Sequence, residues 1–229
     1  MATVARILTN TDIRRMTTPI DARFLTLTQW LSPAFPIGAF AYSHGIETAI
    51  HEGWISDANS LEQWLYDCLS DGTGRADAIW MRRAYAAEDP VTIHAQARSF
   101  VIAQERLREV ERQGTAFVAT VNEVWGLALP DLLLPIAVGR AARLAGLDID
   151  ATVALYLQTF VANLTSSAIR LSPIGQTAGQ RVILNLQPLC LRITDATIEA
   201  DATDVYGNTF LSDISAMAHE TLEPRLFQS

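Results

Sequence analysis

An all-α, single-domain bundle is the fold class that this sequence predicts, and three observations predict it. Apolar residues recur at three- and four-residue spacing along most of the chain, and no stretch alternates with period two for long enough to make a strand. Gly, Pro and capping residues cut the chain into about ten helical segments. With 229 residues, 49% of them hydrophobic and 18% charged, the chain can bury one full core. No Gly/Ser linker or charge block divides it, so 23–229 is read as one domain. Residues 1–22 carry Arg6, Arg14 and Arg15 beside Asp12 and Asp21 and lack the apolar core of a signal peptide, so they are read as a flexible N-terminal arm.

The elements follow from local chemistry. A short helix over 24–31 runs into an elbow where Pro33 and Pro36 fix φ and remove two donors, while Gly38 permits a backbone that a Cβ forbids. A second helix is expected over 39–52, with Phe40, Ile46 and Ile50 near one face. Gly38 and Gly45 form a smooth strip on it for another helix. Asp57 to Ser60 supply N-cap candidates, and Ser60 with Gln63 suggests a capping box ahead of Leu61, Trp64, Leu65, Cys68 and Leu69. Helices over 76–87 and 91–100 are separated by Asp89-Pro90. The stretch 101–124 carries Gln104, Glu105, Arg106, Arg108, Glu109, Glu111 and Arg112 at spacings that support a solvated helix face. Pro130 is expected to start the next helix, with Pro135 as an early kink and Gly146 as its stop. Asp148 or Asp150 caps a helix whose apolar face is too broad for a surface position, so it is either central or an oligomer seam. A second elbow, Leu171 to Gly175, precedes a helix over 176–186 that Pro188 closes. A looser stretch covers 193–204, and an amphipathic segment covers 209–222 before Pro224.

Composition removes several functions. The net charge is −8 and the pI near 4.9, which disfavours nucleic acid or anionic membrane as partner. All 17 cationic residues are arginine, so a Walker A loop and a Schiff-base lysine are both ruled out within the chain. Cys68 and Cys190 stand far apart in apolar surroundings, without zinc spacing. No run of 18 apolar residues is present to span a membrane, and a cytoplasmic location is expected. On a straight helix, His44, Glu47 and His51 share one side, the geometry of a nickel or zinc site, but they lack a His-Glu-x-x-His spacing. No nucleophile elbow occurs, so no catalytic residue, metal ligand or cofactor is assigned. Gln176, Gly179, Gln180 and Arg181 form an unusual polar group at a helix start, which either clamps the elbow internally or is completed by another protein.

These pieces together resemble the urease accessory protein F (UreF) family from about Phe24 to Phe227. The opening motif is met by Ser32, Pro33, Pro36, Gly38, Phe40, Tyr42, Ser43, Gly45 and Glu47. Ser60, Leu61, Trp64 and Leu65 follow, then Ala137-Val138-Gly139. Pro173, Ile174, Gly175, Gln176, Gly179 and Gln180 match a later stretch. The tail is matched by Asp213, Ile214, Met217, His219 and Glu220, with Arg225, Leu226 and Phe227 at the end. Ala218 and Glu223-Pro224 depart from the usual tail.

The resemblance implies a non-enzymatic maturation chaperone that dimerises and bridges accessory proteins D (also called H) and G with apo-urease, for GTP-dependent nickel insertion. It implies a C-terminal tail ordered by partner D, with Gln176 to Arg181 and the tail motif as partner-binding residues. The homodimer seam is expected on 151–166 with Tyr156 as anchor, so that Tyr156→Asp should give monomers. Two further readings stay open: a GTPase-activating role in which an Arg or Gln completes the site of G, and a helical metal- or ligand-binding enzyme centred on His44.

Overall fold

The computed structural model describes residues 21–87 and 89–229. Among them are ten α-helices, two short 3-10 turns and no strand, so the chain is all-α. Of the expected N-terminal arm, residues 1–20 lie outside the described residues. Asp21 and Ala22 belong instead to the first helix, α1 (Ala22–Trp30), because the Asp21 carboxylate accepts hydrogen bonds from the Arg23 and Phe24 backbone amides, both at 3.0 Å.

After the elbow the expected 39–52 helix does not form as one piece. A 3-10 turn (Ala39–Ala41) follows Gly38, Tyr42 is extended, and α2 covers only Ile46–His51. His44 and Gly45 both have positive φ, 58° and 79°. The break has a tertiary cause. A Cβ on Gly45 would lie 2.9 Å from the Ala216 backbone nitrogen of the last helix, so the chain turns here to let that helix approach. Phe40 is therefore exposed while Ile46 is buried, and Gly38, with open space around it, is no part of a packing strip. His44, Glu47 and His51 do not converge. His44 is buried against Phe160, and exposed His51 pairs with Glu52.

The remaining helices are α3 (Ala58–Ser70), α4 (Thr73–Ala86), α5 (Val91–Ser99), α6 (Gln104–Trp125), α7 (Leu134–Leu144), α8 (Ile149–Leu171), α9 (Gln176–Ala196) and α10 (Phe210–His219), with a 3-10 turn at Ala202–Asp204. The N-cap of α3 is Asp57, one of the expected candidates, but its capping box is closed by Ser60, and Gln63 bonds Asp67 instead. Pro135 sits in the first turn of α7, where its missing N–H costs nothing, so it starts the helix rather than kinking it. Pro188 does not close α9. The carbonyl that it strips of a donor, on Leu184, is on the outer face where both residues are exposed and water can replace the bond.

Helix α8 is central: it packs on α9, α2, α4, α3 and α7. Its inner stripe, including Val153, Leu157, Val161 and Ala168, is fully buried. The elbow is tied to α6 by edge contacts of Trp30 with Phe117 and Trp125, at 5.6 and 5.5 Å between centroids. Polar residues of α6 read as solvated are in part interior: Glu105, Arg106 and Glu109 are buried.

Gly45→Ala should cost about 2–4 kcal/mol, combining left-handed strain with the clash on α10, whereas Gly38→Ala should cost only about 1 kcal/mol, from strain alone. Urea denaturation measures both. Equal losses would show that α10 does not require the approach.

Candidate functional site

The site is assembled where α10 and the last residues dock onto the starts of α2 and α6. Glu47, in the first turn of α2, is buried, and its carboxylate accepts from the backbone amides of Leu226 at 2.7 Å and Phe227 at 2.9 Å. Its Oε2 also lies 3.2 Å from His219 Nε2. On the other side of the ring, His219 Nδ1 is 2.7 Å from Glu105 Oε2, while Glu105 Oε1 accepts from Arg225 at 2.5 Å. His219 has no exposed surface. One imidazole is thus shared between two carboxylates taken out of water, and one of them, Glu105, also holds a guanidinium.

Residues 227–229 are fixed by further contacts as well. Ser43 donates its backbone amide and its hydroxyl to the Ser229 carbonyl, at 2.8 and 2.5 Å. Ser229 Oγ donates to Glu109, which also pairs with Arg106 and accepts from Gln113. The Gln228 amide donates to Ala41 O at 2.9 Å. The Arg170 guanidinium lies 4.5 Å over the Phe227 ring and donates to Phe40 O. On α10, the Ser215 hydroxyl donates to Gly45 O at 2.5 Å, and Glu220 accepts from the Gln104 amide.

Docking sorts the tail residues into two sets. His219 and Phe227 face inward, whereas Met217, Glu220, Arg225 and Leu226 are exposed and Asp213 is half-buried. Exposed Phe210, Leu211, Ile214 and Met217 form an apolar outer stripe along α10. His219 and Phe227 can therefore meet a partner only if the tail leaves this position; in the docked form they hold the tail down. Elbow residues Pro33 and Pro36 are exposed, and Tyr42 is buried with its carbonyl accepting from Ser167.

The α9 group is separate from this network. Gln176, Gln180 and Arg181 are exposed and, among the described residues, make no side-chain hydrogen bond or ion pair, so they do not clamp the elbow. Gly179 is buried against α8, where a Cβ would meet Ile169 Cδ1 at 2.5 Å. Tyr156 is also inward, its hydroxyl donating to Asp77 at 2.8 Å, so its ring is not available as a dimer anchor. A charge placed there would fail by burial alone. His94 accepts from the Leu133 amide at 3.1 Å.

A second buried polar group lies beside the tail. Burial pushes the Asp77 carboxyl up to about 6, against the lowering effects of the Tyr156 hydroxyl and Arg106. Burial also holds His44 well below the usual histidine range and lowers Arg106 to about 10. Sequence reading missed Glu105, Arg106, Glu109, Asp77 and Arg170. One signal was present: the buried stripe of Val110, Phe117 and Val121 on α6, extended toward its N-terminus, passes through Gln113, Glu109 and Arg106.

Because burial raises the Asp77 carboxyl, its contribution to stability is complete below the unfolded value near 4 and is lost as pH rises through 6. The loss at pH 8 should be ~3 kcal/mol. Asp77→Asn should match the wild type near pH 4, exceed it increasingly between about pH 4 and 6, and keep a constant advantage above that in urea melts. Parallel pH profiles for the two proteins would contradict this.

Comparison with known proteins adds independent support. The UreF family model matches residues 55–187. The chain is 46% identical over 210 residues to the urease accessory protein UreF of Cereibacter sphaeroides, covering 92% of this chain and 100% of that protein. It is 42% identical over 217 residues to the same-named protein of Ruegeria pomeroyi, covering 93% and 100%. For Roseobacter denitrificans the identity is 44% over 208 residues, covering 90% and 94%. With the family match spanning more than half the chain and such relatives covered nearly end to end, the chain belongs to the UreF family of urease accessory proteins.

Proposed function

We propose that this protein is a non-catalytic scaffold in urease maturation, bridging accessory proteins D/H and G with apo-urease during GTP-dependent nickel insertion. The observation behind this proposal is the outer stripe of α10: four large apolar side chains, 44 to 71% exposed, on a helix held from beneath by the buried hydrogen bonds of His219 to Glu47 and Glu105. A soluble domain rarely leaves so ordered an apolar row uncovered without a partner. D/H takes the α10 stripe. G takes the face where exposed Phe40 and Leu226 flank the docked tail. Gln176, Gln180 and Arg181, exposed and unbonded, supply polar contacts to a partner at the start of α9.

The proposed assembly is cytoplasmic, and among the described residues no helix is long and apolar enough to cross a membrane. With Tyr156 turned inward, we place the homodimer seam on the half-buried flank of α8 formed by Ala151, Ala154, Leu155, Gln158 and Ala162. A GTPase-activating role is the second reading, favoured by the unbonded side chains of Gln176, Gln180 and Arg181, which can reach into a neighbouring active site. Loss of GTP stimulation in Gln180→Ala would distinguish it from a passive bridge.

Paired Ile214→Glu and Met217→Glu substitutions should weaken D/H binding at least tenfold in calorimetry while leaving the circular dichroism of the chain unchanged. Leu155→Arg should shift the chain to monomer in light scattering without lowering D/H affinity. Full D/H affinity in the α10 variant would refute the placement of that partner.

A further inference from the structure

A cleft opens between the 99–103 corner and the start of α10, and nothing assigned so far uses it. It encloses about 110 Å³. Phe100, Ile102 and Tyr206 line its mouth, 48, 60 and 46% exposed, and Asp77, Arg106 and His44 line its depth. Asp213 lines it from the first turn of α10. The charges inside do not balance. Arg106 is engaged by Glu109, and His44 is kept neutral by burial. Asp77 receives only the Tyr156 hydroxyl, and the half-buried side chain of Asp213 has no hydrogen bond or ion pair among the described residues. Burial raises both carboxyls, as expected where no dedicated cation offsets the lost hydration.

Two under-compensated carboxylates at the wall of an aromatic-mouthed cleft suit an organic cation. The Tyr206 ring already accepts one guanidinium, that of Arg75, 4.7 Å from its centroid. A bare divalent ion suits the cleft less well, since it needs several ligands converging on one point. Among the described residues no group of three or more His, Cys, Asp or Glu side chains does so. We propose that this cleft is a socket for a cationic side chain, an arginine or lysine presented by the protein that docks on α10. The inference rests on the docking reading above and specifies the chemistry of that contact. Asp77 then has a reason to remain ionisable where an amide would be more stable: it completes a charge pair only in the complex.

The test uses N-acetylarginine amide titrated into the full chain, followed by the backbone amide resonances of Ala103 and Ala216. Saturable shifts are expected, at least tenfold weaker in affinity for Asp213→Asn and for Asp77→Asn, and absent with the neutral citrulline analogue. Equal response to citrulline, unchanged affinity in both variants, or shifts produced by nickel or magnesium ions alone would overturn the socket. In parallel, Asp213→Asn should lower D/H affinity at least tenfold. If the α10 stripe variant weakens D/H binding and Asp213→Asn does not, the socket is wrong and the scaffold stands. If D/H does not bind the chain at all, the docking reading falls and the socket falls with it.

Discussion

The arrangement of this molecule depends on one buried hydrogen-bonded group, in which Glu47 and Glu105 hold the His219 ring between them and Glu105 also accepts from the exposed Arg225. Each carboxylate stands at the first turn of its helix, where the N-terminal dipole favours negative charge, and each has lost most of its contact with water. Removing one partner of such a buried contact costs about 1–3 kcal/mol, because the polar group left behind keeps its desolvation penalty. That asymmetry makes the tail a specific attachment and not a loosely collapsed end. It also explains the broken helix at Tyr42 to Gly45, which gives the last residues a backbone to bond and α10 a surface without a Cβ.

From this constraint the outer surface follows. A segment such as α10 has one side satisfied by the body and another facing outward, and the buried hydrogen bonds of Ser215 and His219 decide which is which. His219 and Ser215 are directed inward, so Phe210, Ile214 and Met217 must be directed outward. Asp77 and Asp213 then border the same helix with charges that the chain itself does not fully answer. The apolar stripe and the cleft adjoin along α10, where Asp213 lines the cleft and Ile214 belongs to the stripe.

The class of fold was legible because helical periodicity survives in single sequences, and most boundaries were set by local signals such as Asp148 before α8 and Gly146 after α7. What was illegible were the places where distant contacts override local preference. Residues 39–52 read as one helix until α10, about 170 positions later, competes for the backbone at Gly45. Pro188 reads as a stop until its exposure is known. The two halves of the candidate site were each visible as motifs, Ser43-x-Gly45-x-Glu47 and His219 with Arg225-Leu226-Phe227. Their meeting was not, since nothing local pairs a carboxylate with an imidazole so far along the chain. Glu105 and Glu109 were hidden for a different reason: charged residues on a helix are usually solvated, and only their register with Phe117 marks them as interior.

Hydrogen exchange on a Glu47→Ala variant isolates the buried contact, because Glu47 touches His219 and the backbone amides of Leu226 and Phe227. Amides of α10 and of Leu226 and Phe227 should exchange at least tenfold faster than in the wild type, while those of α4, α7 and α8 keep their protection. If α10 retained wild-type protection in the variant, the tail would be held by apolar packing and the Glu47 hydrogen bonds would not be what positions it.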